Sequence, residues 1–456
     1  VPRAYRLLVF LILALAAIAP LRNYDLFWHL ATGRWIVEHR ALPLHDPFAL
    51  ASARVPWING EWLFELVAYA LHAVVGLAGL SVARGVLMAL VFALASDGTP
   101  ASLLLSAIGF AGAMPLFDFR PASFAALLVV LAMRAKTPLA HALVALVWIN
   151  VHPSALLAPV IALCLTRNAK TTLASFAALF VNPFGYRALL APLSLASFVS
   201  GGGFVNAEWL PSPPLVFPLL YVSIVVALVV FATAETRDAG RLLLFALFAF
   251  LAVRYARNQP LYFAAFPLLV APHVRRIPAK LAYAAAAVVV AFAALVSEHR
   301  PGLMRGRFPV DAVARLKASP LRGNFYNADQ FGGYLIWSFY PQRRALVDGR
   351  NELYRAFLPE YARAREDQRA WNALLRKYRV DLAVDEYLPP LHVIDAGSGR
   401  ARDLPASLAY WPRRDWALVA YDDAAMVFAR RAAFGAELSK CEIRGVVPDA
   451  RAERDR

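Results

Sequence analysis

The stretch that decides the architecture is "NYDLFWHLATGRWIVEHRALPLHDPF" (residues 23–48). It follows directly on "AYRLLVFLILALAAIAPL" (4–21), a run close to the roughly 20 apolar residues that a bilayer crossing needs. Two aspartates, two tryptophans and three histidines therefore fall beside a membrane surface. Asp25 lies within a few residues of the apolar run. A carboxylate at that boundary is costly to place and is a functional candidate for that reason. The competing expectation is a helix cap, or a salt bridge to Arg22 or Arg34.

Composition supports the membrane reading. Of 456 residues, 60% are hydrophobic and 17% charged, and the mean hydropathy is +0.52. Soluble domains run closer to half apolar and a quarter charged. Charge is uneven: 27 of the 47 basic and 21 of the 31 acidic residues lie from Glu298 onward. The expected division is a membrane body over 1–297, with a large first outer loop (22–76), and a water-soluble domain over 298–456. The net charge of +16 is spread over helix boundaries and the tail, without a basic stripe or nucleic-acid motif, so no nucleic-acid partner is expected. Cys164 lies in an apolar run and Cys441 in the tail, so they are not expected to pair.

Eleven spans are read at about 4–21, 77–95, 101–116, 121–135, 138–150, 153–167, 171–182, 213–233, 240–256, 260–272 and 280–297. Short loops on one side carry Arg3, Arg6, Arg134, Lys136, Arg167, Lys170, Arg237, Arg241, Arg275, Arg276 and Lys280. Those on the other carry Arg120, Arg187, Arg254 and Arg257. The positive-inside rule then puts the N-terminus in the cytoplasm and the tail outside. Counting "EWLFELVAYALHAVV" (61–75) as a span would invert this balance, so it is read as an amphipathic helix on the outer surface. The tail reads as α/β. Strands are expected at 323–327, 344–350, 380–386, 416–423 and 424–431, and helices at 328–340 and 358–378.

The order "D…H…G…I…LP…DPF…PW…EWLFEL" resembles the first outer loop of membrane glycosyltransferases of the GT-C fold. The nearest pattern is the catalytic subunit of oligosaccharyltransferase, together with a group of uncharacterised bacterial polytopic membrane proteins. The resemblance implies a polytopic α-helical membrane protein with a C-terminal extracytoplasmic α/β domain, in a bacterial inner (plasma) membrane. It also implies an essential aspartate after span one, which is Asp25. Within the same loop His29, Asp46, Trp57 and Glu61 become candidate substrate contacts.

"AIGFAGAMPLFDFRPASF" (107–124) resembles the family's second outer loop, with Arg120 at the position of its arginine. The metal-binding acidic pair that follows in the family is missing, and only Asp118 is available, before the arginine. The ground for expecting a divalent metal goes with that pair. "FVNAEWLPSP" (204–213) offers Glu208 for the family's late outer-loop glutamate. Arg254 and Arg257 in "RYARNQP" suit a lipid-linked phosphate, because a guanidinium binds phosphate in bidentate fashion. "YNADQFGGYLIWSFYPQRRALVDGRNELY" (326–354) partly resembles the segment carrying the family's WWDYG motif. It adds Tyr334, Asp348 and Arg350 as candidates, but its lack of a tryptophan pair argues against asparagine as acceptor. His152, in "WINVHPSALL", is either a cap on the helix freed by Pro153 or a site residue.

The function implied is transfer of a sugar from a polyprenyl-phosphate-linked donor to an extracytoplasmic acceptor, with donor, acceptor and membrane lipids as partners. Asp25, Arg120 and Glu208 would be the catalytic set. A non-catalytic scaffold that keeps the fold is an alternative, as is a lipid or sugar transporter. No inverted repeat supports the transporter. No HExxH, P-loop, GxGxxG or cysteine–histidine metal spacing is present.

Overall fold

The structure is a computed structural model that describes residues 3–200, 207–275, 277–394, 399 and 401–450. Arg276 of the charge count and residues 204–206 of the late loop lie outside the described residues. The chain forms two compact units. One comprises Val1–Asn23 and Ile58–Gly302, the other Tyr24–Trp57 and Leu303–Arg456. The sequence division assigned 22–76 to the membrane body, whereas the compact units group 24–57 with the C-terminal residues.

Helix α1 (Arg3–Ala16) opens the first unit, and α2 (Leu26–His39) belongs to the second. The first unit continues with α3 (Trp62–Ala95), α4 (Pro100–Ala113), α5 (Pro121–Arg134), α6 (Pro138–Ile149) and α7 (Leu157–Thr166). It is completed by α8 (Ala169–Ala178), α9 (Tyr186–Ser200), α10 (Pro218–Thr233), α11 (Ala239–Arg254), α12 (Gln259–Val270) and α13 (Ala279–Leu295). Proline stands in the first turn of α4, α5, α6, α10 and α12, where its missing N–H costs no intrahelical bond. Thr99, Thr137, Asn168 and Asp238 cap α4, α6, α8 and α11 with their side chains.

Each of the eleven apolar runs meets a helix, but most of these helices are short. A helix the length of α5, 14 residues, rises about 21 Å, against a hydrocarbon core of about 30 Å. Among the described residues one helix, Trp62–Ala95, is long and apolar enough to cross a membrane. Within it Gly76 has φ +65° and ψ −171°, a break that separates 62–75 from 77–95 where the sequence reading divided them. Helix length thus supports one crossing directly. The other crossings of the eleven-span reading belong to the proposal below. Helices not foreseen include α2, read as loop, α9, which carries Pro192 in its interior, and the helix Val310–Ala318 of the second unit.

Small residues let the helices of this unit approach. A Cβ at Gly109 of α4 would lie 2.7 Å from the Phe263 carbonyl of α12, and one at Gly112 would overlap the Phe263 ring. A Cβ at Gly85 of α3 would lie 2.7 Å from the Ala14 carbonyl of α1. This is the packing mode of helices in lipid, where close backbone contact takes the place of a hydrophobic driving force.

The second unit contains α2, α14 (Val310–Ala318), β1 (Asn324–Asn327), α15 (Asp329–Phe339), α16 (Phe357–Glu366) and α17 (Gln368–Lys377). These are followed by β2 (Val380–Glu386), β3 (Leu391–Ile394), β4 (Ala401–Leu404), β5 (Trp416–Tyr421) and β6 (Ala425–Arg430). Its four-stranded sheet has the order β1-β2-β6-β5. The β1–β2 pair is parallel, as its helical crossover requires, and the others are antiparallel. Asp422 closes the β5–β6 hairpin by accepting from the Ala424 and Ala425 amides. The strand expected at 344–350 is a correction. That segment is buried but makes no ladder, only one bridge between Ala345 and Ala49. The β3–β4 hairpin was not foreseen. The helix expected over 358–378 is two, because the Asp367 carboxylate caps α17 through the Ala370 amide.

Candidate active site

In the second unit, Asp25 stands immediately before α2 in the N-cap position. Its backbone is already helical (φ −70°, ψ −22°), and its carboxylate makes no cap hydrogen bond. The helix-cap expectation therefore fails. Oδ1 instead accepts from the Trp28 indole N–H at 3.1 Å. Of the adjacent glycines of α15, Gly333 faces the start of α2 and Gly332 faces the Val347–Asp348 backbone. A Cβ at Gly333 would lie 3.0 Å from the Tyr24 carbonyl, and one at Gly332 would overlap the Val347 carbonyl. The "GGY" of the tail is thus the contact that seats the start of α2, with Tyr334 edge-on to Phe27 at 4.7 Å between ring centres. Buried His29 lies over Trp28, with ring centres 3.6 Å apart.

Asp46, Asp348 and Arg350 form one buried network. Arg350 Nη1 donates to Asp46 at 2.9 Å, while Nε and Nη2 donate to Asp348 at 2.8 and 2.5 Å. All three side chains have no exposed surface. Asp46 also accepts from the Phe48 and Ala49 amides and the Ser52 hydroxyl, and Asp348 from the Tyr354 hydroxyl at 2.7 Å. The guanidinium lies over the Trp57 ring at 4.6 Å. Burial alone would drive Arg350 toward neutrality. Asp348 and Asp46 outweigh it and hold the pKa well above its ordinary value, so the group stays charged. Burial, reinforced by Asp348, raises the Tyr354 phenol and keeps it a donor. The "DPF" turn is thereby fastened to the "DGR" segment some 300 residues later, and this geometry makes the network a structural clamp within the unit.

In the first unit, Arg120 stands just before α5 and its Nη1 donates to both carboxylate oxygens of Glu208, at 2.6 and 2.8 Å. Partial burial would raise the Glu208 pKa, but Arg120 outweighs it, helped by Arg257 and Arg22, so the carboxyl titrates below the usual range. Arg257 lies over the Trp209 ring at 4.5 Å and Arg254 over Tyr255 at 4.6 Å. His152 caps the turn begun by Pro153, its Nδ1 accepting from the Ser154 amide at 3.1 Å. Burial lowers its pKa well below the ordinary value, and the positive field of Arg257 and Arg120 lowers it further. His152 is therefore neutral at pH 7 with its proton on Nε2. The structure thus gathers Arg120, Glu208, Arg257 and His152 into one electropositive group.

Asp118 holds a neighbouring loop, accepting from the Arg22 amide at 3.1 Å. Glu61 precedes α3, its amide donating to Asn59, whose side chain bonds the buried Glu65 at 2.6 Å. Sequence reasoning missed Trp28 and Gly349. It also missed Arg84, a buried arginine inside α3 that donates to the Phe117 carbonyl at 2.7 Å and the Ala17 carbonyl at 2.5 Å. A lone arginine within an apolar helix was the signal for it. A divalent metal does not fit the described residues. No three His, Cys, Asp or Glu among them converge, and both oxygens of Glu208 are held by Arg120.

No known family profile matches the chain, and no curated protein does. Solved structures do. The apo crystal structure of the oligosaccharyltransferase from Archaeoglobus fulgidus matches over 88% of this chain and 74% of its own, at 10% identity and a TM-score of 0.53. The oligosaccharyltransferase AglB from the same organism, in complex with an inhibitory peptide and a dolichol-phosphate, matches with the same coverage, identity and score. The chain therefore has a GT-C-like, oligosaccharyltransferase-like fold: mostly helical, with a small sheet region toward the C-terminus.

Proposed function

We propose that the chain is a membrane glycosyltransferase that moves a sugar from a polyprenyl-phosphate-linked donor to an extracytoplasmic acceptor. The observation that carries the reading is Asp25. It follows the first helix of a GT-C-like fold, and its carboxylate accepts from the Trp28 indole N–H at 3.1 Å. Asp25 takes the proton of an acceptor hydroxyl as the new bond forms to the anomeric carbon. The bond from that carbon to the lipid phosphate breaks, and the leaving phosphate carries the charge. In the first unit, Arg120, Arg257 and Arg254 are of the residue type that binds a lipid phosphate and offsets its charge. Glu208 neutralises Arg120 until the donor arrives, and the neutral His152 adds an N–H donor. The body spans the membrane eleven times with the N-terminus in the cytoplasm and residues 298–456 outside. The dolichol-phosphate bound to AglB supports a lipid-linked donor here.

The test compares wild type with Asp25→Asn in membranes supplied with polyprenyl-phosphate sugars and a host cell-envelope extract, reading released lipid phosphate. Release that falls at least about 100-fold in a folded, inserted variant supports the mechanism. Equal release from both removes Asp25 from it. No release from either favours the scaffold reading, for which the missing acidic pair speaks.

A further inference from the structure

Gly349 is the centre of the "DGR" turn, and its two neighbours are locked. Asp348 and Arg350 hold one another and Asp46 in the buried network. Only position 349 lacks a side chain, and there the carboxylate of Asp25 comes against the backbone. A Cβ at Gly349 would overlap Asp25 Oδ1, with Asp25 Cγ at 3.6 Å and Trp28 Nε1 at 3.8 Å. Gly349 is not among the positive-φ glycines, so an alanine meets no backbone strain there. The need for glycine is steric, and the atom it makes room for is the carboxylate oxygen that Trp28 holds.

We propose that Gly349 is a positioning residue for Asp25: its absent side chain leaves the space in which the carboxylate lies, and Trp28 fixes the carboxylate there. This rests on the reading of Asp25 as the general base. The consequence of filling the space follows from what can move. The turn cannot retreat, because Asp348 and Arg350 are clamped on both sides. The carboxylate is the far end of a rotatable side chain and is therefore the group that gives way. Gly349→Ala therefore displaces the reacting group while leaving the unit folded. Gly332→Ala differs, because its Cβ meets the Val347 carbonyl, a backbone atom.

The experiment uses the full-length protein in detergent with ¹⁵N-labelled tryptophan, the Trp28 indole resonance being identified by Trp28→Phe. That resonance is expected to move in Asp25→Ala, where the N–H loses its acceptor, and to move likewise in Gly349→Ala. With polyprenyl-phosphate sugars as probe, Gly349→Ala is expected to lower kcat about 100-fold, the cost of misplacing a reacting group by about 1 Å. The apparent KM is expected to stay within about twofold. Trp28→Phe, which removes the N–H without filling the space, is expected to cost about tenfold in kcat with the fold intact. An indole resonance unmoved by Gly349→Ala overturns the positioning role whatever the rate does, and so does full activity in Trp28→Phe with Asp25→Asn inactive. A moved resonance with unchanged rates in all three variants leaves the positioning in place and removes the base role of Asp25.

Discussion

Replacing Arg350 by methionine tests the buried network most directly. The substitution keeps an apolar stem over Trp57 and removes the only cation between Asp46 and Asp348. Removing one partner of a buried ion pair costs about 3–5 kcal/mol, because the other charge stays buried. Here one guanidinium serves two carboxylates, which raises the cost. Each carboxylate keeps other donors, however: the Phe48 and Ala49 amides and Ser52 for Asp46, and Tyr354 for Asp348. We therefore expect a loss of about 4 kcal/mol, within the measured range for such pairs. For a unit of this size each kcal/mol lowers Tm by about 2–4 °C, so the transition should fall by about 8–16 °C. Thermal unfolding in detergent, followed by tryptophan fluorescence, reads it. Adding Asp46→Asn and Asp348→Asn to Arg350→Met should recover much of the loss, since no buried charge then remains. A fall of less than about 3 °C in the single variant would refute the reasoning, since it would mean the network carries little of the unit's stability.

Other outcomes follow from the same geometry. The Glu208 carboxyl is depressed below its ordinary 4.5, so the stability it draws from Arg120 is fully present above that pH. The Tm difference between wild type and Glu208→Gln should be constant from pH 7 to about 4.5 and shrink as the pH falls further through the depressed value. The same variant leaves Arg120 uncompensated and should tighten binding of a polyprenyl phosphate, read by tritiated-lipid binding. Gly109→Ala should destabilise the helical unit by about 1–3 kcal/mol, because its Cβ meets the rigid Phe263 carbonyl. Reporter fusions after residues 136, 238 and 298 should report cytoplasm, cytoplasm and exterior. Any other pattern refutes the eleven-span topology.

The helices were legible because apolar runs end at prolines. Pro100, Pro121, Pro138 and Pro218 each open one in the structure. Helix α2 was hidden because it is buried on nearly every side from Leu26 to Gly33, which leaves no polar stripe to mark its period. Helix α9 was hidden by Pro192 and its serines. In the tail, β2 and β6 announced themselves as runs of apolar residues, and both lie in the centre of the sheet. "RALVDGR" looked the same in composition but is held by side-chain bonds and a short bridge to residues 49–51, not by a ladder. Periodicity cannot separate those two cases. For the site, Asp25 stood out by its place beside an apolar run, and Arg120 and Glu208 by the resemblance of their loops to those of the family. The pairing of Arg120 with Glu208, 88 positions apart, was invisible, as was the role of Asp46 and Arg350 as partners 304 positions apart. Trp28 looked like one more interfacial aromatic, and Gly349 like one more turn glycine.

The discontinuity of the second unit has a consequence for how the protein is made. Residues 24–57 leave the ribosome early, yet the turn that shapes the surroundings of Asp25 is encoded more than 300 residues later. At about 5–20 residues per second, that interval lasts roughly fifteen seconds to a minute. Through all of it the helical unit can be completed while "YDLFW" has neither its Gly333 contact nor its "DGR" partner. A chain truncated between residues 303 and 348 keeps the whole helical unit yet lacks the backbone that bounds the space of the Asp25 carboxylate.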